Sequence, residues 1–301
     1  MARGGAQRRN CTAVTSSTTV GEAATGLRLP KGACDSHVHV FGPPHLHPPI
    51  GDPTLDAPDA GLHRLLAMHA AHGFERGVLV QPSVYGGDHR ALCHALSVAG
   101  PNYRGCAGAA ALLTASDAEL AVLHAAGVRG ARFARPGLST ALGPGDTRRV
   151  LARLSELGWY AKVQPAAEGL AATLPLFARS TAQLVVDHMG RPDISRGLDD
   201  PSICALLDLV GRGDVWVLLS FAERLSVKGL PWDDVAPVAR RLVELAPHRC
   251  LFGSDWPHIG WQGEVLAVEQ LLNLLWLYAP EPALRQQILV ENPAALVGFQ
   301  I

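Results

Sequence analysis

The sequence carries no excess of charge of either sign. Its 26 Lys and Arg stand against 27 Asp and Glu, a formal charge of -1 over 301 residues. That balance removes the broad electrostatic grip by which a protein holds nucleic acid or an anionic membrane, and neither partner is expected. There is no Cys-x-x-Cys either. Cys11, Cys34, Cys93, Cys106, Cys204 and Cys250 are scattered with no pairing pattern, so reduced thiols in a cytoplasmic setting are expected and none stands out as a nucleophile. No apolar run reaches the length of a bilayer span, since even Val265 to Tyr278 is interrupted by Glu269, Gln270 and Asn273. No Gly-x-Gly-x-x-Gly follows the first apolar segment, so the phosphate turn of an open dinucleotide-binding sheet is missing.

The first 28 residues are poor in large apolar side chains. They hold Arg3, Arg8, Arg9 and a Ser/Thr cluster with Glu22 as the only acid, a composition shared with transit peptides. We expect a disordered extension, because so little apolar surface cannot offset the entropy of ordering. Residues 29–301 are expected to form one domain. At 48% hydrophobic residues the chain can bury a sizeable core.

From Leu29 onward, short apolar runs alternate with stretches of helical spacing. Eight strands are expected at 33–40, 76–81, 103–109, 128–133, 159–164, 183–188, 215–220 and 249–254. Helices are expected at 59–72, 89–99, 116–126, 147–157, 170–178, 201–210 and 233–245, with two closing helices at 264–278 and 281–297. Gly73, Gly127 and Gly158 sit where helix-terminating glycines belong. Strands too apolar to alternate in and out need both faces covered, which calls for a single closed (β/α)8 barrel of the α/β class. An open doubly wound sheet is the alternative.

In such a barrel the chemistry belongs at the carboxyl ends of the strands. Polar residues gather there: His37 and His39 on the first, Gln81 and Ser83 after the second, Arg129, Arg132 and Arg135 along the fourth, Asp187 and His188 on the sixth, Ser220 and Arg224 after the seventh, and Ser254, Asp255 and His258 after the eighth. Period-two geometry puts His37 and His39 on one side of their strand and Val38 and Val40 on the other. It also separates Arg129 and Arg135 from Arg132, which is expected to be solvated or to bridge helices. Each residue has a plainer reading, as a cap, a packed histidine or a surface charge. Four metal-ligand types and several arginines at one mouth resist explanation by packing.

Three segments together carry a family resemblance: Asp35-Ser36-His37-Val38-His39-Val40-Phe41-Gly42, His188-Met189-Gly190-Arg191-Pro192, and Phe252-Gly253-Ser254-Asp255-Trp256-Pro257-His258. The chain resembles the amidohydrolase superfamily, in the branch of the 2-pyrone-4,6-dicarboxylate lactonases. The resemblance implies a (β/α)8 barrel with extra C-terminal helices that hydrolyses a carboxylate-bearing lactone, as in aromatic compound catabolism. It implies Asp255 as general base, His37, His39 and His188 around the scissile carbonyl, and Arg129, Arg135 and Arg224 as carboxylate anchors. Ser83 and Arg191 match further contact positions, and Gln164 and His258 face the same mouth.

Two tyrosine positions of that branch are held here by Gln164 and Leu55. Lys162 shares the parity of Gln164, which raises a role in bridging two metals, although no fifth-strand histidine accompanies it. His37, His39, His188 and Asp255 make an adequate donor set for one Zn²⁺ or Mn²⁺. No obligatory metal is expected. Bottom-up chemistry suits an anionic lactone: Asp255 takes a proton from water, and arginine forks bind planar carboxylates. A metal-dependent decarboxylase of the same superfamily and a non-catalytic anion-binding barrel are the alternatives. An oligomer is possible.

Overall fold

The computed structural model describes residues 28–50, 59–263 and 266–300. The N-terminal extension expected at residues 1–28 lies almost wholly outside them, as does Leu55. All eight expected strands form: β1 (Cys34–Val38), β2 (Arg76–Val80), β3 (Tyr103–Gly108), β4 (Val128–Phe133), β5 (Tyr160–Val163), β6 (Leu184–Val186), β7 (Val215–Leu219) and β8 (Cys250–Phe252). They pair in parallel in sequence order from β1 to β8. The ring closes where Val38 bridges Trp256, the His39 N–H donating to the Trp256 carbonyl at 2.8 Å and the Asp255 N–H to the His37 carbonyl at 3.0 Å.

The helices follow in alternation: α1 (Leu62–His72), α2 (Arg90–Ala99), α3 (Asp117–Ala125), α4 (Pro144–Leu157), α5 (Leu170–Thr173), α6 (Pro201–Gly211), α7 (Ala222–Leu225), α8 (Ala236–Leu245), α9 (Val268–Tyr278), α10 (Pro282–Gln286) and α11 (Asn292–Val297). Gly73 and Gly158 end α1 and α4 in the left-handed conformation, at φ 84° and 66°. Two expected helices break at prolines. Pro175 divides the 170–178 stretch into α5 and a 3₁₀ turn, and Pro293 cannot donate to the carbonyl four residues back, so a π turn separates α10 from α11. No described helix is long and apolar enough to cross a membrane.

The barrel interior is filled by Cys34, Val78, Val80, Cys106, Tyr160, Val185, Trp216, Leu218 and Leu251, with Val297 and Phe299 closing its floor. Val38, Leu79, Ala131, Phe133 and Val163 point the other way, into the layer between sheet and helices. Facing residues are therefore known strand by strand. On β4, Gly130 and Arg132 look inward, and Gly130 has no side chain because the Tyr160 ring from β5 occupies that space.

Candidate active site

β1 is irregular where it matters. Its pairing with β2 shifts between Asp35 and Val38, and the buried Asp35 carboxylate pins the bulge. Its Oδ1 accepts the His37 N–H at 3.3 Å and the Ser254 N–H at 2.9 Å, tying the end of β1 to the end of β8. Behind it, His69 Nε2 lies 3.6 Å from Asp35 Oδ2 while its Nδ1 contacts the Tyr103 hydroxyl at 2.8 Å.

Three donor atoms converge above this strut. His37 Nε2 and His39 Nε2 are 3.2 Å apart, and Asp255 Oδ1 lies 3.5 and 3.6 Å from them. The tautomers follow from the partners on the other side. His39 Nδ1 faces the Val80 carbonyl at 2.8 Å and His37 Nδ1 faces Asp187 Oδ1 at 3.4 Å; both partners only accept, so each Nδ1 carries the proton and each Nε2 presents a lone pair. Two lone pairs and a carboxylate oxygen thus meet with no donor between them. A tetrahedral zinc with bonds of about 2.0–2.1 Å has ligand–ligand edges of roughly 3.3–3.4 Å, close to this triangle. The buried His37, His39 and Asp255 group could therefore bind one metal ion.

His188 does not join that triangle. Its Nδ1 contacts the Ser220 hydroxyl at 2.9 Å and its Nε2 lies 3.5 Å from an Arg132 guanidinium nitrogen, so the expected four-residue donor set comes down to three. Burial pushes the His188 imidazole down to about 4, against the opposing pull of Asp187 and Asp255. His37 is likewise held well below the ordinary range by burial. Burial alone would raise the Asp255 carboxyl. The close-packed imidazoles of His39, His188 and His37 outweigh it, so Asp255 is held well below the usual carboxylate range.

Beneath the site lies a charge cluster that sequence reasoning left unassigned. Asp187, with no exposed surface, places Oδ1 2.9 Å from Lys162 Nζ and Oδ2 2.9 Å from Arg132 Nε. Burial opposes its ionisation, but Lys162, His37 and Arg132 prevail and hold it well below the usual carboxylate range. Lys162 does face the interior, yet its ammonium is spent on Asp187. The parity of β4 was read correctly and its direction inverted: Arg132 is the inward residue. Arg129, expected as a carboxylate anchor, sits at the amino end of β4 and donates to the His124 and Val128 carbonyls. The available signal was the apolar pair Ala131 and Phe133, which a barrel sends outward to its helices.

Around the rim, Arg132, Ser83, Gln81 and Gln164 line a small cavity of about 30 Å³. Gln164 accepts the Arg135 N–H at 3.2 Å. Arg224 donates to the His258 and Ile259 carbonyls at 3.2 and 2.7 Å. His258 is buried with both ring nitrogens unpartnered among the described residues, and burial lowers its pKa. Glu223, also unpredicted, is buried beside Arg224, and burial together with the Asp255 charge lifts it to about 7. Among the described residues, neither Arg135 nor Arg191 has a carboxylate within salt-bridge distance. His188, Arg191, Phe221, Asp255 and His258 all adopt positive φ, so the rim is built from sparsely populated backbone conformations.

The sequence matches the amidohydrolase family over residues 34–299. The chain belongs to that family. It is 37% identical over 281 residues to the 4-sulfomuconolactone hydrolase of Rhizobium radiobacter, covering 92% of this chain and 93% of that one. It is also 37% identical to a 2-pyrone-4,6-dicarboxylate hydrolase of Comamonas testosteroni, over 90% and 91% of the two chains. An apo crystal structure from Agrobacterium tumefaciens superposes with a TM-score of 0.81 at 26% identity, covering 91% of this amidohydrolase and 98% of that chain. A more distant amidohydrolase from Burkholderia multivorans, 18% identical with a TM-score of 0.62, shares the fold and was crystallised with zinc.

Proposed function

We propose that this amidohydrolase is a lactonase that hydrolyses a small lactone bearing carboxylate or sulfonate groups, with Asp255 activating the attacking water. The observation that carries the reading is the position of the Asp255 carboxylate: buried, ionised and flanked by two neutral imidazoles. The names of the two 37%-identical relatives agree with it.

The residues divide the work as follows. Arg135 and Arg191, without acidic partners of their own, bind the anionic substituents and hold the ring in an attack pose. Arg224, Ser83, Gln164 and His258 complete the wall. Water adds to the carbonyl carbon, its proton passes to Asp255, and the ring C–O bond breaks as the leaving oxygen is reprotonated. A positioned base contributes about 10²–10⁴-fold. Because Asp255 is held so low it is a weak base, and stabilisation of the oxyanion must supply much of the remainder. A divalent cation, when bound by His37, His39 and Asp255, would supply Lewis-acid polarisation.

The test is a panel of carboxylated, sulfonated and neutral lactones at matched pH. Turnover confined to charged lactones supports the reading, whereas no turnover, or equal turnover of neutral rings, removes it. The preformed three-donor triangle also favours a second reading, metal-dependent decarboxylation. That reaction releases carbon dioxide, consumes no net water, and must vanish in chelator-treated protein shown by elemental analysis to be metal-free.

A further inference from the structure

We infer that Phe221 is the positioning platform of the site: one aromatic ring that orients the His188 imidazole and holds Arg191 and Arg224 ready for an anion. No sequence motif singled it out. It rests on the functional reading above only for the identity of the anion.

The backbone gives the first indication. Phe221 joins β7 to α7 at φ 76° and ψ 18°, the left-handed region. A bulky residue is a rare occupant of that region, and glycine or asparagine is the usual solution. Keeping a phenylalanine there is costly unless its ring does something that the turn alone does not require.

The ring touches three functional side chains. It stacks on His188 with centroids 4.1 Å apart and planes inclined by 23°. The Arg224 and Arg191 guanidinium carbons lie over it at 4.8 and 5.4 Å. His188 and Arg191 themselves have positive φ, so the turn after β6 is folded onto this ring from the neighbouring strand. His188 is fixed on its edge by Ser220 and on its face by Phe221.

The choice of an aromatic partner has a physical reason. Two guanidiniums brought side by side repel and need compensation. A carboxylate would provide it, but would also occupy the donors that an anionic substrate must use. The negative face of a phenyl ring offsets part of the repulsion without engaging any N–H of either guanidinium. Arg224 has further supports in the Glu223 carboxyl group, the His258 and Ile259 carbonyls and the Trp261 ring, whereas the contact described for the Arg191 side chain is Phe221. Loss of the ring should therefore free Arg191 more than Arg224.

The test compares Phe221→Leu, Phe221→Gly and Phe221→Tyr. Glycine relieves the backbone and removes the ring; tyrosine keeps the ring and the strain. We expect KM for a dicarboxylated lactone to rise about tenfold in the Leu and Gly variants and to return within about twofold of wild type in the Tyr variant. KM for a neutral lactone should move little, and kcat should fall for both substrates as His188 loses its stack. A Gly variant indistinguishable from wild type, or equal KM changes on charged and neutral rings, overturns the platform. If the wild-type protein turns over no lactone, the functional reading fails separately. The platform is then judged by calorimetric binding of pyridine-2,4-dicarboxylate: weakening in Leu and Gly with recovery in Tyr supports it, and unchanged binding overturns it.

Discussion

Asp187→Asn is expected to destabilise the barrel severely, and the reason lies in donor counting. Lys162 Nζ and Arg132 Nε each point at a different oxygen of Asp187, both at 2.9 Å. An asparagine must set its NH₂ against one of them, so an N–H faces an N–H whichever way the amide flips. The Lys162 ammonium, 2% exposed, would then lie buried without an anion. Breaking a buried pair by removing one partner costs about 3–5 kcal/mol. For a chain of this size that corresponds to a fall in Tm of roughly 5–8 °C. Circular dichroism melting measures it, beside the double variant Asp187→Asn/Lys162→Met, which removes the stranded ammonium and should recover about 1–3 kcal/mol relative to additivity. An Asp187→Asn protein within about 1 kcal/mol of wild type, or strict additivity in the double variant, would refute the reasoning.

Asp255→Asn keeps the shape of the side chain but cannot accept a proton, so kcat should fall by about 10²–10⁴ with ligand affinity largely retained; near-normal hydrolysis removes Asp255 from the base role. Arg132→Met should impair the site and the fold together, while Arg129→Met, which loses only surface contacts to carbonyl groups, should leave KM for a charged lactone within about twofold; a large KM effect from Arg129 alone would contradict the inward assignment on β4. Stability should also fall on acidification. His188 folds with its imidazole at about 4 and His37 and His258 are also lowered, so below the unfolded value of about 6.5 the unfolded chain takes protons that the fold refuses. Glu223, lifted to about 7, takes up one proton in the fold over the same range and offsets only part of this. The stability present above about pH 6.5 is lost as pH drops toward 4, and the depressed Asp187 and Asp255 extend the loss below about pH 4. Urea midpoints that rise between neutral pH and about pH 5 would reverse the sign and refute the argument.

Much of this arrangement was legible in the amino-acid order. The eight strands came from apolar runs punctuated by helix-ending glycines, and the convergence of His37, His39 and Asp255 came from motifs at strand ends. What period two cannot supply is direction. It put Arg129 and Arg132 on opposite faces of β4, and it took the ring of Tyr160 over Gly130 to fix which face is inside. His188 was grouped with the donor triangle because it ends a strand. Its backbone turns into a left-handed conformation at that point and spends its nitrogens on Ser220 and Arg132, which no spacing rule encodes. Asp187 was visible as a polar residue beside a histidine, yet its role depends on Lys162 and Arg132 arriving from two other strands.

The seam between β1 and β8 explains why the chemistry sits where it does. Apart from the register shifts in β1–β2 and β3–β4, the other neighbouring pairs in the barrel are regular ladders of parallel partners, which fix the backbone and leave little room to aim a side chain. At the seam the strands meet through a bridge at Val38 and Trp256, and the hydrogen bonds that close the ring belong to His37, His39, Asp255 and Trp256 themselves. Asp35 takes over the task of the missing ladder by accepting backbone N–H groups from both strands. Its own position is held from outside the barrel by His69 and Tyr103, on α1 and β3. Closing the barrel and assembling the donor triangle are thus one structural event. A perturbation that loosens this seam disperses the three donors directly, whereas the ladders from β4 to β8 keep their own pairings.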